Sequence, residues 1–305
     1  MPPEAEKSIQ SVARYIADRE PDPYLRIKAL HDYVVSRVEY DLDVLKTGNR
    51  PLQDAQTVFA THKAVCEGYA NLFVSLGQAI DIEAVYLEGR IRRDLAPLDL
   101  IPASLRALNS GYDWTLHAWN AVKVAGSWQL VDTTWDDGAN SYSTNYLLPL
   151  PQVMIVSHLP NNPDWQLLND PKSQDAFEDQ PILTPEAFID GLTIASPTKY
   201  ETAVQDVAVI NVQHPSNYSK KIAALFIQTA ETEFSLESLL PTDTQTDKFE
   251  PQQCQSQQAL SETEISCRFP ASGDYQVLMF SLEEASSPEP RATPIAQLRF
   301  QASVN

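Results

Sequence analysis

The sequence predicts an α+β chain in two parts, a mixed domain over residues 1–190 and a small β-sandwich over residues 191–305. Three observations carry this. Apolar residues recur at helical spacing through the first quarter of the chain. Two runs rich in β-branched and aromatic residues flank Ala125-Gly126, which reads as a hairpin. From about Gly191 the pattern changes to short alternating runs separated by turns, as in a sandwich.

Residues 4–19 read as a helix with Ile9, Val12, Ala13 and Ile16 inward, ended by Pro21 and Pro23. A second helix spans 24–38, with Leu25, Ile27, Leu30, Val34 and Val35 as its apolar stripe. Residues 41–53 read as a loop, and 55–61 as a short helix leading to Cys66. Tyr69, Leu72, Phe73 and Leu76 then mark one face of a helix. Residues 82–91 form a candidate strand, followed by a solvated face of Arg90, Arg92 and Arg93. The stretch 94–113 carries Pro97, Pro102 and Gly111 and reads as an insertion, either a surface loop or a wall of a cleft. Asp136-Asp137-Gly138 ends the hairpin in a turn. Residues 145–190, with helical tendency near 151–157 and 185–190, wrap the first core. Strands over 207–212, 221–228, 264–269, 275–282 and 294–300 build the sandwich.

Composition narrows the function classes. A chain of 305 residues supports two ordinary cores. Its 41 acidic against 22 basic residues give a net charge of −19, which makes nucleic acid and anionic membrane poor partners. No apolar run reaches the roughly 18 residues of a membrane span, and Met-Pro-Pro-Glu does not read as a signal peptide. Cys254 and Cys267 flank a polar stretch between candidate strands and are expected to close a hairpin as a disulfide. If bonded they imply an extracytoplasmic setting, periplasmic or secreted; if not, a cytoplasmic one. His62 precedes Cys66 by four residues, a ligand-like spacing with no further ligands, so no metal and no cofactor are expected.

The candidate chemistry centres on Cys66, at or just before the first turn of its helix. There the unpaired backbone N–H groups and the positive end of the dipole favour an anion such as a thiolate. Alone, such a cysteine is more often an inert buried residue. His117 and Asp132 change that expectation. A two-residue loop at 125–126 pairs Val124 with Ser127, so Trp119 falls opposite Asp132 and His117 opposite Thr134. His117, Trp119, Asp132 and Thr134 then share one face, with His117 and Asp132 as diagonal neighbours. A slip of one residue would turn Asp132 away.

Val65-Cys66-Glu67-Gly68-Tyr69-Ala70, His117-Ala118-Trp119-Asn120 and Val131-Asp132-Thr133-Thr134-Trp135 together resemble the transglutaminase-like (papain-like) cysteine enzyme superfamily, kyphoscoliosis peptidase type. Residues 29–34 and 39–41, Asn145-Tyr146-Leu147-Leu148, His158-Leu159-Pro160 and Trp165-Gln166-Leu167-Leu168 resemble flanking parts of that group. The likeness covers most of 24–190. It implies a papain/transglutaminase-like catalytic fold, a trailing immunoglobulin-like domain and a Cys66–His117–Asp132 triad. Animal transglutaminases resemble a pattern with a Trp upstream of the cysteine to help the oxyanion hole. Here the first Trp is Trp114, so the second donor beside the Cys66 backbone has to come from elsewhere, and Gln53 and Gln56 are the candidates. The expected activity is amide chemistry through a thioester, with hydrolysis of a protein or peptide favoured over transfer to an amine. The alternative of another class is a non-catalytic scaffold that binds a partner through the C-terminal domain.

Overall fold

A computed structural model of the chain describes residues 1–92, 116–138, 141–229, 252–283 and 292–304. The expected insertion over 94–113, with Arg93 and Trp114, lies outside the described residues. The described residues fall into two compact units, divided between Lys172 and Ser173.

The first unit opens with helices α1 (Ile9–Ala17) and α2 (Pro23–Arg37). Both begin where the sequence supplies a cap. Ser8 accepts from the Ser11 N–H at 3.1 Å, and Asp22 accepts from the Tyr24 and Leu25 N–H groups at 2.9 and 3.0 Å. The expected loop over 41–53 contains a helix, α3 (Leu42–Thr47), capped by Asp41. Next come α4 (Ala55–Thr61) and α5 (Cys66–Gln78). Short strands β1 (Glu39–Tyr40) and β2 (Lys63–Ala64) pair in parallel beside them.

The sheet of this unit is antiparallel, in the order β5-β4-β3-β8. Its strands are β3 (Ala84–Ile91), β4 (Leu116–Val124), β5 (Ser127–Val131) and β8 (His158–Pro160). The hairpin has the predicted register: Val124 pairs with Ser127, and the ladder runs to Asn120 opposite Val131. It stops there. Asp132 caps a short helix, α6 (Thr133–Asp136), so neither Asp132 nor Thr134 lies opposite β4. A small hairpin of β6 (Asp137–Gly138) and β7 (Ser141–Tyr142) follows, then α7 (Pro151–Ser157).

Side chains leave a strand on alternate sides. Val122 and Val124 join Ile9, Val12, Leu30, Val34, Tyr69 and Phe73 in a core under α1, α2 and α5. Trp119 and Ala121 point to the other side and pack with Leu87, Leu130, Tyr146 and Met154. Arg92, expected on a solvated face, is buried, because the chain still runs beside α7 and donates its N–H to the Ser157 carbonyl at 3.2 Å.

The second unit is two sheets with one apolar layer between them. One sheet has the order β10-β12-β16-β15, from Thr193–Ser196, Val207–Gln213, Glu262–Arg268 and Gln255–Gln258. The other has the order β11-β18-β17-β13-β14, from Glu201–Val204, Ala292–Ala302, Gly273–Leu282, Lys221–Gln228 and Gln252–Gln253. Ala208, Ile210 and Ile265 of the first meet Phe226, Val277, Leu298 and Phe300 of the second. Cys254 and Cys267 are disulfide-bonded with Cα atoms 4.5 Å apart, facing each other one step beyond the Gln255–Ser266 pair. Residues 173–190, expected in the first domain, belong to this unit: β9 (Ile182–Leu183) pairs with Ala296–Gln297 of β18, and Ala187 enters the sandwich core.

One glycine decides how β8 approaches. Gly89 pairs with His117 on one side and Pro160 on the other. A Cβ at Gly89 would lie 2.1 Å from the Leu159 carbonyl oxygen and 2.5 Å from the Trp119 ring. Gly89→Ala should therefore cost about 1–3 kcal/mol, as overpacking does. Gly77→Ala is the control, since its Cβ would meet nothing nearer than 3.4 Å and an α-helix gains from alanine. Urea melts of the two variants check this; equal midpoints would be the contrary result.

Candidate active site

Cys66 is the first residue of α5, and the residue before it, Val65, offers no side-chain cap. The N–H groups of the first turn are therefore left unclaimed by a capping side chain. The thiol is buried in a small cluster with Ala70, Ala118 and the partly buried Tyr86. Ala118 is the strand neighbour of His117, which brings the cysteine and the imidazole together. The Cys66 thiol stands close enough to the His117 ring to help raise its pKa. Its Nε2 lies 2.6 Å from Asp132 Oδ2, which leaves Nδ1 for the thiol.

Asp132 reaches His117 by a route other than the strand face expected from the sequence. As the N-cap of α6 it turns its carboxylate back toward the start of β4. Its Oδ1 accepts from the Thr134 and Trp135 N–H groups at 2.9 and 3.1 Å. Its Oδ2 accepts from His117 and, at 3.0 Å, from His158 Nε2. The carboxylate is fully buried, so all four donors matter.

His158 is the residue that the sequence did not single out as part of the site. It lies at the start of β8, and its ring is boxed by Trp119, Trp135 and Tyr146, with centroids 5.1, 4.3 and 5.5 Å away. Ser157 Oγ is 2.7 Å from its Nδ1. With Nε2 committed to a carboxylate, Nδ1 is the acceptor and the hydroxyl the donor, an assignment made from the bonding pattern.

The charges follow from these contacts. Burial pushes the His117 imidazole down, but the charge and hydrogen bond of Asp132, with the Cys66 thiol behind them, outweigh it and hold the ring protonated well above neutrality. Burial pushes the Asp132 carboxyl up, and the two histidines overcome this and hold it far below the usual carboxylate range. His158 goes the other way. Burial takes it down to about 4, Asp132 opposes the fall, and the charge on His117 adds to it.

Of the two glutamines, Gln53 reaches the cysteine helix. It is buried, its Oε1 accepts from the Val65 N–H at 2.9 Å, and its Nε2 donates to the Pro51 carbonyl at 3.0 Å. Gln56 stands exposed in the first turn of α4. His62 ends that helix in a left-handed conformation, φ 55°. His117, Asp132 and His158 have donor atoms close enough for a metal, but Oδ2 touches both ring nitrogens at hydrogen-bond distance, so the three satisfy one another. Ligands at about 2 Å from a tetrahedral ion would have to stand farther apart.

The family model of the transglutaminase-like superfamily matches residues 10–133, a span that includes Cys66, His117 and Asp132. Over that span the chain is similar to the transglutaminase-like superfamily. It is similar to kyphoscoliosis peptidase of Mus musculus, 28% identical over 198 residues, covering 62% of this chain and 29% of that protein. Kyphoscoliosis peptidase of Homo sapiens is similar at 27% identity over the same shares. The chain thus spans less than a third of the length of these curated relatives. A solved structure from Cytophaga hutchinsonii has 22% identity and a TM-score of 0.32, over 47% of this chain and 40% of its own, too low to bear on fold or chemistry. Among the described residues, no helix is long and apolar enough to cross a membrane.

The first unit should carry a pH signature of its buried rings. His158 has a folded pKa below the ordinary imidazole value of about 6.5, so the unfolded chain binds more protons and stability falls as pH drops from there toward about 4. His117 has a raised folded pKa, so its contribution is complete below about 6.5 and is lost as pH rises toward its folded value. Urea denaturation should show His158→Gln flattening the acid side of the curve, and His117→Gln the alkaline side, relative to the wild type. Parallel curves would contradict the assignment.

Proposed function

We propose that the domain cleaves an amide through a thioester on Cys66, with a protein or peptide as substrate and water as the final acceptor. The observation that carries this is the His117–Asp132 hydrogen bond with the Cys66 thiol close to the same ring, at a helix start with no capping side chain. The thiolate attacks the carbonyl carbon, and His117 holds the proton. The tetrahedral oxyanion is met by the Cys66 N–H, which has no acceptor within its helix. Gln53 supports it from the side, because its Nε2 carries a second hydrogen besides the one given to Pro51. As the C–N bond breaks, His117 protonates the leaving amine. Water then attacks the thioester, returns a proton to His117 and releases the acid. Asp132 keeps the ring oriented and balances its charge.

The second unit, an immunoglobulin-like sandwich in this reading, contributes contacts to a protein partner rather than chemistry. Its Cys254–Cys267 bond favours an oxidising compartment. Thiol titration of the denatured, unreduced chain should then count one thiol, and a count of three would remove that argument.

Purified variants assayed on a peptide library by mass spectrometry test the chemistry. Cys66→Ala and His117→Ala should each abolish turnover to a similar extent, because nucleophile and base act as one unit. Asp132→Ala should retain roughly tenfold to a hundredfold more activity than either, since it only orients. Cleavage with full activity in the cysteine variant would defeat the proposal. Products that carry an added primary amine in place of water would make the domain a transferase.

A further inference from the structure

We propose that His158 is a positioning residue for the Asp132–His117 pair, a second imidazole donor that holds the carboxylate in place as the acceptor for His117. The inference rests on the proposed roles of Cys66, His117 and Asp132 and adds to them a residue that neither touches the thiol nor meets the substrate.

The geometry is specific. Asp132 Oδ2 receives two rings at 2.6 and 3.0 Å, from β4 and from the start of β8. The His158 ring is fully buried. The hollow beside it, lined by Trp119, Met154, Trp165 and Gln166 among others, is too small to hold a water molecule. With the ring fully buried, its N–H goes to Asp132 or is left unpaired. The carboxylate on Nε2 fixes which nitrogen carries the hydrogen, and Nδ1 meets the Ser157 hydroxyl at 2.7 Å. The titratable groups facing the ring are Asp132 from the cap of α6, His117 from β4 and the Tyr146 phenol from the segment before α7. Trp119 and Trp135 close the remaining sides.

The ring must also be neutral to serve this role. A charged His158 would stand 5.3 Å, centroid to centroid, from a charged His117 and would compete with it for the same oxygen. The aromatic box favours the neutral form. A neutral donor supports the carboxylate without opposing the imidazolium. If that donor is removed, Asp132 keeps its burial and loses one of four hydrogen bonds. The carboxylate is then held less firmly, and the imidazolium it supports more readily gives up the proton that pairs it with the thiolate.

The test is the pH dependence of Cys66 alkylation by iodoacetamide, with circular dichroism as the folding control. In His158→Phe, which fills the aromatic box and cannot donate, the acid limb should move up by about one to two pH units, the worth of a hydrogen bond to a charged group. His158→Gln places an N–H at similar reach and does not titrate, so the limb should return toward the wild type. A structural role alone would lower the amount of folded protein and leave the limb where it was. An unshifted limb in His158→Phe, with alkylation still dependent on His117, overturns this inference and leaves the proposed chemistry standing. Alkylation of the wild type that is indifferent to His117→Ala overturns both. A second measurement needs no variant: nitrogen-15 histidine spectra of the unaltered protein should show His158 neutral with its hydrogen on Nε2. The Nδ1–H tautomer would overturn the proposal even if His158→Phe fails to fold.

Discussion

A carboxylate taken fully out of water has to be repaid several kcal/mol in donors, or it takes up a proton instead. Asp132 is such a group, and its donors come from three separate stretches of chain. Two are backbone N–H groups of its own helical turn. One is a ring at the beginning of β4, and one is a ring at the beginning of β8. The charge can be buried only where those stretches converge, and the convergence is what places His117 beside Cys66. The stability of this corner and the placement of His117 therefore share one cause, and the same hydrogen bonds that make burial tolerable hold the imidazole protonated.

The turn that carries Asp132 is too short to persist as a helix on its own. It ends in a second buried acid, Asp136, four residues on. Asp136 Oδ2 lies 3.0 Å from His31 Nε2 on α2, and its two oxygens accept from the Tyr146 N–H at 3.1 and 3.0 Å. His31 is held in turn by Asp32, 3.1 Å from its Nδ1. Each end of α6 is thus fixed by a carboxylate bound to a histidine from elsewhere in the fold. Loss of a partner for either buried charge is expected to be costly, since an uncompensated ion in a protein interior is among the larger single penalties known. The frame that holds the site is electrostatic as much as apolar.

Some of this was legible in the sequence, and some was not. The hairpin register followed from a two-residue loop and alternating apolar residues, and it held as far as Val131. The face assigned to Asp132 did not hold, because strand alternation was carried one residue past the end of the strand. Asp followed by Thr-Thr-Trp was also a cap signal, and the cap won. Asp136 looked like part of a polar turn because nothing local reveals a partner 105 residues away in the chain. His158 has the same difficulty: 26 residues separate it from Asp132, and its strand is three residues long. The stretch 173–190 reads as part of the first domain because a two-residue strand pairing with residues beyond 290 leaves no periodic trace. What the sequence shows well is local pattern and turn geometry. Contacts made by single polar side chains across long separations need the fold.

Two positions without side chains complete the frame. At Gly68, in the first turn of α5, a Cβ would lie 2.7 Å from Gln53 Oε1 and 2.5 Å from the Ala64 Cβ. The glycine lets the glutamine come close enough to bind the Val65 N–H, which seats the start of the cysteine helix against the chain before it. At Gly89 the missing Cβ lets β8 approach β3, and β8 is the strand that brings His158 to Asp132. One glycine therefore sets the side of the site that holds the thiol, and the other the side that holds the acid. Close approach of backbone is the physical reason each is needed, since neither residue has the positive φ that would call for glycine on conformational grounds. The placement of the thiol, the ring and the carboxylate is fixed here by where side chains are absent as well as by where they are charged.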